Sequence, residues 1–277
     1  MKRMEHIIAV GMVLAVALIA YFITHTWALG PIPPVELRGI AKLYLRGMMS
    51  KTTPFYVSSP EAVTSILWDY RGLDTLYETA VFFLAIIGSV TVFRLLREHE
   101  HMVEEHRKEI KVPGMTLIVK LITKLTFTII MVIAAAIALH GQITPGGGFQ
   151  GGAALAVAPL LAVAALSRYF VEDVGLKERT ALALRTLGLA IIGLIALVPL
   201  MLIGLGGIAY FMQNLPKPWA RYVGFPQWLY DVPLGGSLFF YNVAECLAVG
   251  AGFTVLFLLL SIPEKIYMKV IEGEKGE

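Results

Sequence analysis

Six stretches of this chain are almost continuously apolar and long enough to cross a bilayer, which takes roughly 20 residues of helix. They run over residues 7–29, 75–96, 115–140, 151–170, 180–210 and 238–262, with the polar residues gathered between them. The pattern predicts an all-α integral membrane protein of about six transmembrane helices. The fifth stretch is longer than one span needs and contains Pro199, Gly204, Gly206 and Gly207, so a kink or break is expected there. The first stretch follows Lys2 and Arg3, as a signal peptide would. It exceeds the usual apolar core of about 7–15 residues and no convincing cleavage site follows, so it reads as a retained first helix.

Composition supports the membrane reading. The chain is 57% hydrophobic and only 16% charged, with a mean hydropathy of +0.73, whereas soluble domains carry about 25% charged residues. A net charge of +3 is too small to suggest nucleic acid as a partner. With the N-terminus inside, Lys2, Arg3, Arg94, Arg97, Arg107, Lys108, Lys111, Arg168, Lys177, Arg179, Arg185, Lys265, Lys269 and Lys275 fall on the inner side. Arg38, Lys42, Arg46, Lys51, Lys217 and Arg221 fall outside, and the excess on the inner side favours cytoplasmic termini in the cell membrane. Cys246 is the single cysteine, so disulfides and cysteine-ligated clusters within the chain are excluded.

A mixed-charge segment over 99–114, ending in Pro113-Gly114, divides a two-span N-terminal part (1–98) from a four-span C-terminal part (115–277). Its histidines at 99, 101 and 106 have the spacing of a metal site. Without neighbouring cysteines or ordered carboxylates they read as a solvated linker at the cytoplasmic face.

Between the third and fourth stretches the chain reads Thr144-Pro-Gly-Gly-Gly-Phe-Gln-Gly-Gly152, directly after His140-Gly141. Five glycines in nine residues free the backbone for left-handed conformations and close approach. This string resembles the signature of the B subunit of Mrp-type cation/proton antiporters. In the N-terminal part, Asp69-Tyr-Arg-Gly-Leu-Asp-Thr-Leu-Tyr-Glu78 resembles the conserved string of the C-terminal part of the Mrp A subunit, also found as a small separate subunit in archaeal membrane-bound hydrogenases. Tyr77 departs from it, since a small residue is usual there. The resemblance implies a membrane subunit working among other Mrp-type subunits in a large assembly that exchanges Na⁺ for H⁺. The fusion of two modules leans towards an archaeal respiratory complex, a sulfane sulfur reductase or hydrogenase with a peripheral iron–sulfur or hydrogenase-like arm. A stand-alone Mrp antiporter and a purely structural subunit stay open. No cofactor and no catalytic residue are expected in this chain, which shows neither a cysteine cluster nor a nucleophile–base pair; Na⁺ and H⁺ are the ions that would be moved.

The candidate ion-path residues are Glu78, Asp74, Lys124, His140 and Glu245. A carboxylate in a span is costly to ionise and functional by default, but Thr75-Leu-Tyr-Glu78 also fits a capping box in which Glu78 caps the helix start. Asp69, Arg71 and Asp74 fit an ion-paired loop fixing that start. Lys120 and Lys124 share a helix face and either snorkel to the interface or, for Lys124, bias a neighbouring carboxylate. His140 closes the third helix, as a proton-step histidine or an exposed end cap. The loop of Thr144, Pro145, Gly146, Gly147, Gly148, Gln150 and Gly151 either presents backbone carbonyls to cations or makes a tight helix–helix or subunit contact. Gly147 is therefore expected to tolerate substitution less well than Gly188 and Gly193, which read as positions on a plain helix. Glu245, with Tyr241 and Asn242 on the same face, is the deepest acid and has no Lys or Arg in its own helix, so any partner comes from another helix or subunit. Residues 213–236, with Trp219, Tyr222, Trp228 and Tyr230, read as an aromatic interfacial loop.

Overall fold

The computed structural model describes residues 2–25, 36–51, 53–94, 115–220, 223–264, 266–268 and 270. The charged linker 99–114 with its three histidines lies outside them, as do Arg221 and Tyr222. The chain forms two compact units, residues 1–42 and 43–277. The first holds helix α1 (Lys2–His25), whose described apolar run, Val10–His25, is shorter than a full span. This is the first of the six expected spans. A short helix, α2 (Gly39–Gly47), follows.

The second unit carries the other five expected spans. Helix α3 (Ala62–Ser65) runs into a π-helical turn (Ile66–Tyr70) and then into α4 (Gly72–Val92). Next come α5 (Leu117–Leu139), α6 (Gly148–Ala165), the short α7 (Arg168–Asp173), α8 (Glu178–Met201) and α9 (Leu238–Leu260). Helices α4, α5, α6, α8 and α9 are each long and apolar enough to cross a membrane. The α8 helix passes through Pro199 and stops at Met201, unwinding through a 3₁₀ turn (Leu202–Leu205) to Gly206 at φ +91°. The expected break thus falls at the glycines, where a left-handed residue is needed, rather than at the proline. A two-residue antiparallel hairpin, β1 (Trp228–Leu229) and β2 (Val232–Pro233), is the sheet present among the described residues.

Helix α9 is the axis of the bundle. Two thirds (67%) of its apolar window is buried, against 17% in α5. It packs between α6 and α8, and α6 in turn packs on α5. Small residues set these crossings. A Cβ on Gly152 of α6 would meet the carbonyl oxygen of Cys246 at 2.8 Å, and one on Gly250 of α9 the Leu155 side chain at 2.8 Å. On the other flank, a Cβ on Gly188 of α8 would meet the Ala244 oxygen at 2.7 Å. Without a hydrophobic drive between helices in lipid, such close backbone approach is what holds them together.

The end of the bundle where α4, α6 and α9 begin is closed by loops bonded side chain to backbone. Asn214 Oδ1 accepts from the Ser237 N–H (2.6 Å) and its Nδ2 donates to the Val57 carbonyl (3.4 Å). Gln142 Nε2 donates to the Pro233 carbonyl (2.9 Å), and the Ser59 hydroxyl donates to the Gln142 carbonyl. Trp68 of the π turn stacks on Tyr241 of α9, centroids 4.3 Å apart and planes 2° from parallel. The two parts of the sequence therefore share one core, in which Val57 and Trp68 pack with Ile192, Leu238 and Tyr241.

Gly188 is a correction to the sequence reading. It is no plain helix position, because two backbone atoms of α9 occupy the space of a side chain, whereas Gly193 has nothing within 4 Å of a Cβ. Gly188→Val is expected to destabilise by about 1–3 kcal/mol, as overpacking does. Gly193→Val should stay within about 0.5 kcal/mol, as for surface changes. Thermal melts of the purified protein in detergent check both, and equal melting temperatures for the two variants would contradict the crossing described.

Candidate functional site

The Gly-rich string begins as a tight turn and ends as a helix. His140 caps α5, and its carbonyl accepts from the N–H groups of Ile143 (2.7 Å) and Thr144 (2.8 Å). Thr144 and Pro145 are exposed, Gly146 has φ +141° and Gly147 φ +133°. Gly147 is the N-cap of α6, with ψ −167°, a region almost confined to glycine. From Gly148 onward the string is helical, so the loop is shorter than expected and Gly148, Gln150 and Gly151 belong to the first turn of α6. The reason lies in the neighbours. A Cβ at Gly148 would meet the Asn242 carbonyl oxygen at 2.6 Å, and one at Gly151 the Ala134 oxygen at 3.1 Å. These glycines let α6 press against α9 and α5, and Gln150 points to the exposed side.

The turn is locked to the rest of the protein. Thr64 Oγ1 donates to the Gly141 carbonyl (2.8 Å), and Asn242 Oδ1 accepts from the Gly148 N–H (3.2 Å). The carbonyls of His140, Gly141, Gln142 and Gly147 all accept hydrogen bonds within the chain.

One helical turn beyond Asn242, Glu245 lies 5% exposed beside the indole N–H of Trp68 and the backbone N–H of Phe149. Tyr241 Oη and Asn242 Nδ2 have no hydrogen-bond partner among the described residues. Glu245 lines a cavity of about 60 Å³ together with Glu78 and Thr79 of α4, Phe149 of α6 and Arg185 of α8, room enough for a few water molecules. Glu78 is exposed and stands at the mouth, while Glu245 lies inside. Arg185 is 1% exposed. Its plane lies over the Phe83 ring, 4.1 Å from the centroid, and Nη2 donates to the Phe83 carbonyl (3.1 Å). Among the described residues Nε and Nη1 have no hydrogen-bond partner. A guanidinium fixed at one end, with two unpaired nitrogens beside a cavity lined by two carboxylates, is suited to ordering water and charge within it.

The sequence offers no site role for Arg185, which reads there as one of the inner-side charges; in the structure it lies inside α8 and is buried. The signal was in its spacing, since Ala181, Arg185, Gly188, Ile192 and Ile195 form one stripe at helical period.

The expected capping box is not formed. Helix α4 starts three residues before Thr75, at Gly72, and the Thr75 hydroxyl donates instead to the Leu67 carbonyl (2.6 Å) across the π turn. Glu78 thus has no capping duty. Asp74 is exposed and bonded to Arg71 (Nε to Oδ2, 2.6 Å), away from the cavity. Asp69 does not join that pair; it faces Lys217 (3.7 Å), whose ammonium also donates to the Tyr56 carbonyl (2.9 Å). Burial pushes the Asp69 carboxyl above the ordinary range, although Lys217 and Asn214 pull it down. Lys124 is exposed, 5.8 Å from the Phe170 ring centroid, on an apolar groove of about 540 Å³ between α5, α6 and α7. His140 is exposed, its Nδ1 2.9 Å from the Ala136 carbonyl. The structure therefore brings Glu78 and Glu245 together, and places Asp74, Lys124 and His140 elsewhere. Trp219, Trp228 and Tyr230 are exposed on the closing loop, as an interfacial loop requires.

These features define a multi-pass, all-helical membrane protein with a charged cavity between four of its helices. Residues 118–255 match the family described as a domain related to the MnhB subunit of Na⁺/H⁺ antiporters. The uncharacterized protein MJ1307 of Methanocaldococcus jannaschii is 30% identical over 228 residues, 78% of this chain and 82% of that one. The chain belongs to this MnhB-related family. Two solved structures share the fold. One is a chain of the membrane-bound sulfane sulfur reductase, an archaeal respiratory membrane complex, at 23% identity and TM-score 0.56, covering 92% of this chain and 97% of that one. The other is a chain of the Mrp complex of Dietzia sp. DQ12-45-1b, at 16% identity and TM-score 0.58, covering 94% of this chain and 26% of that longer one. Arg185 and Glu245 fall within the matched family region, and Glu78 precedes it.

Gly147→Ala is expected to cost about 1–3 kcal/mol, because a side chain must adopt a glycine-only backbone region. Asn242→Ala should cost a similar amount, about 1–3 kcal/mol, by leaving the Gly148 N–H buried and unpaired. Detergent melts of both variants check this, and a Gly147→Ala protein as stable as the parent would show the turn to be a slack connector.

Proposed function

We propose that this chain is a membrane subunit of an Mrp-type cation/proton antiporter module and contributes to Na⁺/H⁺ exchange coupled to electron transfer in an archaeal respiratory complex. The observation that carries this reading is the cavity between α4, α6, α8 and α9, which two carboxylates and a buried guanidinium line. Ionisable groups at membrane depth are costly and mark ion pathways. Family membership supports the antiporter context, and the likeness along nearly the whole of a sulfane sulfur reductase chain supports the respiratory one. The likeness to part of an Mrp complex chain supports a second reading, a subunit of a stand-alone antiporter. The partners are other Mrp-type membrane subunits with, in the respiratory case, an iron–sulfur or hydrogenase-like arm. The termini lie in the cytoplasm, and the chain holds no cofactor of its own.

Glu78 stands exposed on a membrane helix between the apolar and equally exposed Tyr77 and Val81. A carboxylate is not left facing lipid, so a neighbouring subunit covers this face. Native mass measurement after mild detergent extraction is expected to find the chain within a larger complex; a stable monomer that transports ions in liposomes would overturn the subunit reading. Glu78→Gln should assemble normally yet reduce Na⁺-dependent proton pumping in membrane vesicles to below about a tenth, the scale of losing a proton-transfer group. Unchanged pumping in that variant would remove the cavity from the ion path.

A further inference from the structure

At the other end of the bundle, where α5 begins and α6 ends, the two helices leave the groove of about 540 Å³ between them, walled on one side by α7 and the turn after it. That volume lies in the range of ligand cavities, about 300–1,000 Å³. The wall is pinned in place. Ala162 of α6 and Val171 of α7 are buried against Leu258 of α9, with Phe127, Phe170 and Leu176 packed around them. Arg168, at the start of α7, donates to Glu172 (2.6 Å) and to the Leu258 carbonyl (3.2 Å). Gly175, at φ +98°, turns the chain back so that the Leu176 N–H donates to the Val171 carbonyl (3.1 Å). The wall cannot collapse into the groove without breaking these bonds, and an unfilled groove forfeits the contacts of its lining atoms.

The groove is apolar along its floor and cationic at its rim. On α5, Lys124, Phe127, Thr128 and Met131 line it at helical spacings of three and four. Lys124 is the only charged side chain among the described lining residues. Its ammonium stands over the Phe170 ring, 5.8 Å from the centroid, a contact that holds it at the rim. Among the described residues it has no ion pair and no hydrogen-bond acceptor. Lys120, also exposed, lies one turn nearer the start of α5 on the same face. The acids of α7 do not answer these amines, since Glu172 is bonded to Arg168 and Asp173 does not line the groove. Both α5 and α6 are long and apolar enough to cross a membrane, and α5 is the least buried of the five spans, so the groove opens towards lipid. An apolar helix of a neighbouring subunit would fill the floor but leave the amines unanswered. A free phosphate would answer the amines but leave the floor empty. An anionic phospholipid does both, and basic pockets between membrane helices bind such head groups.

We propose that this groove binds one anionic phospholipid, its hydrocarbon chain lying along Phe127, Met131 and Leu166 and its phosphate held by Lys124 and Lys120. The site depends on α5 and α6 spanning the membrane and not on ion exchange, so it stands or falls separately from the antiporter reading.

The test uses the protein purified in mild detergent with the subunits it retains. It is titrated with phosphatidylglycerol or with phosphatidylcholine, each carrying a diazirine in one chain; light fixes the bound lipid and peptide mapping locates it. Phosphatidylglycerol is expected to label peptides within 123–131 and 162–176, at concentrations lower by about fivefold or more than phosphatidylcholine needs. Lys124→Gln is expected to raise the phosphatidylglycerol concentration for half-maximal labelling by about fivefold, the scale of one basic residue at an anionic surface, and to leave the phosphatidylcholine value unchanged. Thr128→Trp, at an exposed position on the groove, fills the floor and is expected to abolish labelling there by both lipids. Equal affinity for the two lipids in the unmodified protein, or an unchanged phosphatidylglycerol value in Lys124→Gln, overturns the proposal. Labelling confined to other peptides, as when a neighbouring subunit occupies the groove, overturns it too. Neither readout depends on Na⁺ or H⁺ movement.

Discussion

Where α6 and α8 cross α9, the space for a side chain is already filled by backbone. Gly148, Gly152 and Gly188 are hydrogen-sided at the crossing points, and each would drive a Cβ to within 3 Å of α9 atoms. The placement of every other group follows from that separation. Gly148 brings the first turn of α6 directly against Glu245 and lets Asn242 bond its N–H. Gly188 lies one turn after Arg185 on the buried stripe of α8. The close contacts that hold α8 to α9 therefore also bring the guanidinium to the cavity. In lipid, where apolar surfaces gain little by meeting each other, packing of this kind carries the assembly of the bundle.

The closing loops and the cavity divide the polar work. At the bundle end, Asn214, Gln213 and Gln142 are bonded to backbone carbonyls and N–H groups, which ties the loops together, although Gln142 Oε1 is buried without a partner among the described residues. Within the bundle the polar atoms are less fully paired. Among the described residues Arg185 Nε and Nη1, Tyr241 Oη and Asn242 Nδ2 have no hydrogen-bond partner. Buried donors without partners are costly in a finished core, and Arg185 places two such nitrogens beside the cavity.

The charges also differ in their pairing. Arg71–Asp74 and Lys42–Glu36 are exposed ion pairs, of the kind that contributes little to stability, while Arg168–Glu172 and Lys217–Asp69 are largely buried. Glu78, Arg185 and Glu245 come from three helices and have no equivalent pairing. Phe82 and Phe149 line the cavity beside them and pack with Phe253, Phe149 edge to face with both and Phe82 tilted against Phe253.

Hydropathy alone determined that this is a helical membrane protein and where its spans lie, because apolar runs of span length have few other stable homes. The strings around Gly147 and Glu78 carried the family. The glycines were legible as sites of close approach, but not their partners, since Gly188 looks like any helical glycine until Ala244 is seen against it. Glu245 was legible as a deep acid, but the cation lining the same cavity was not. Arg185 precedes it by 60 positions on another helix and looked like one more inner-side charge. The capping box failed for the same reason in reverse. A local pattern at Thr75–Glu78 was correct in spacing, yet the π turn moved the helix start to Gly72 and gave the Thr75 hydroxyl another partner. Local periodicity fixes which face of a helix is buried; only the packing of helices decides which charges meet there, because that depends on crossing points distant in sequence.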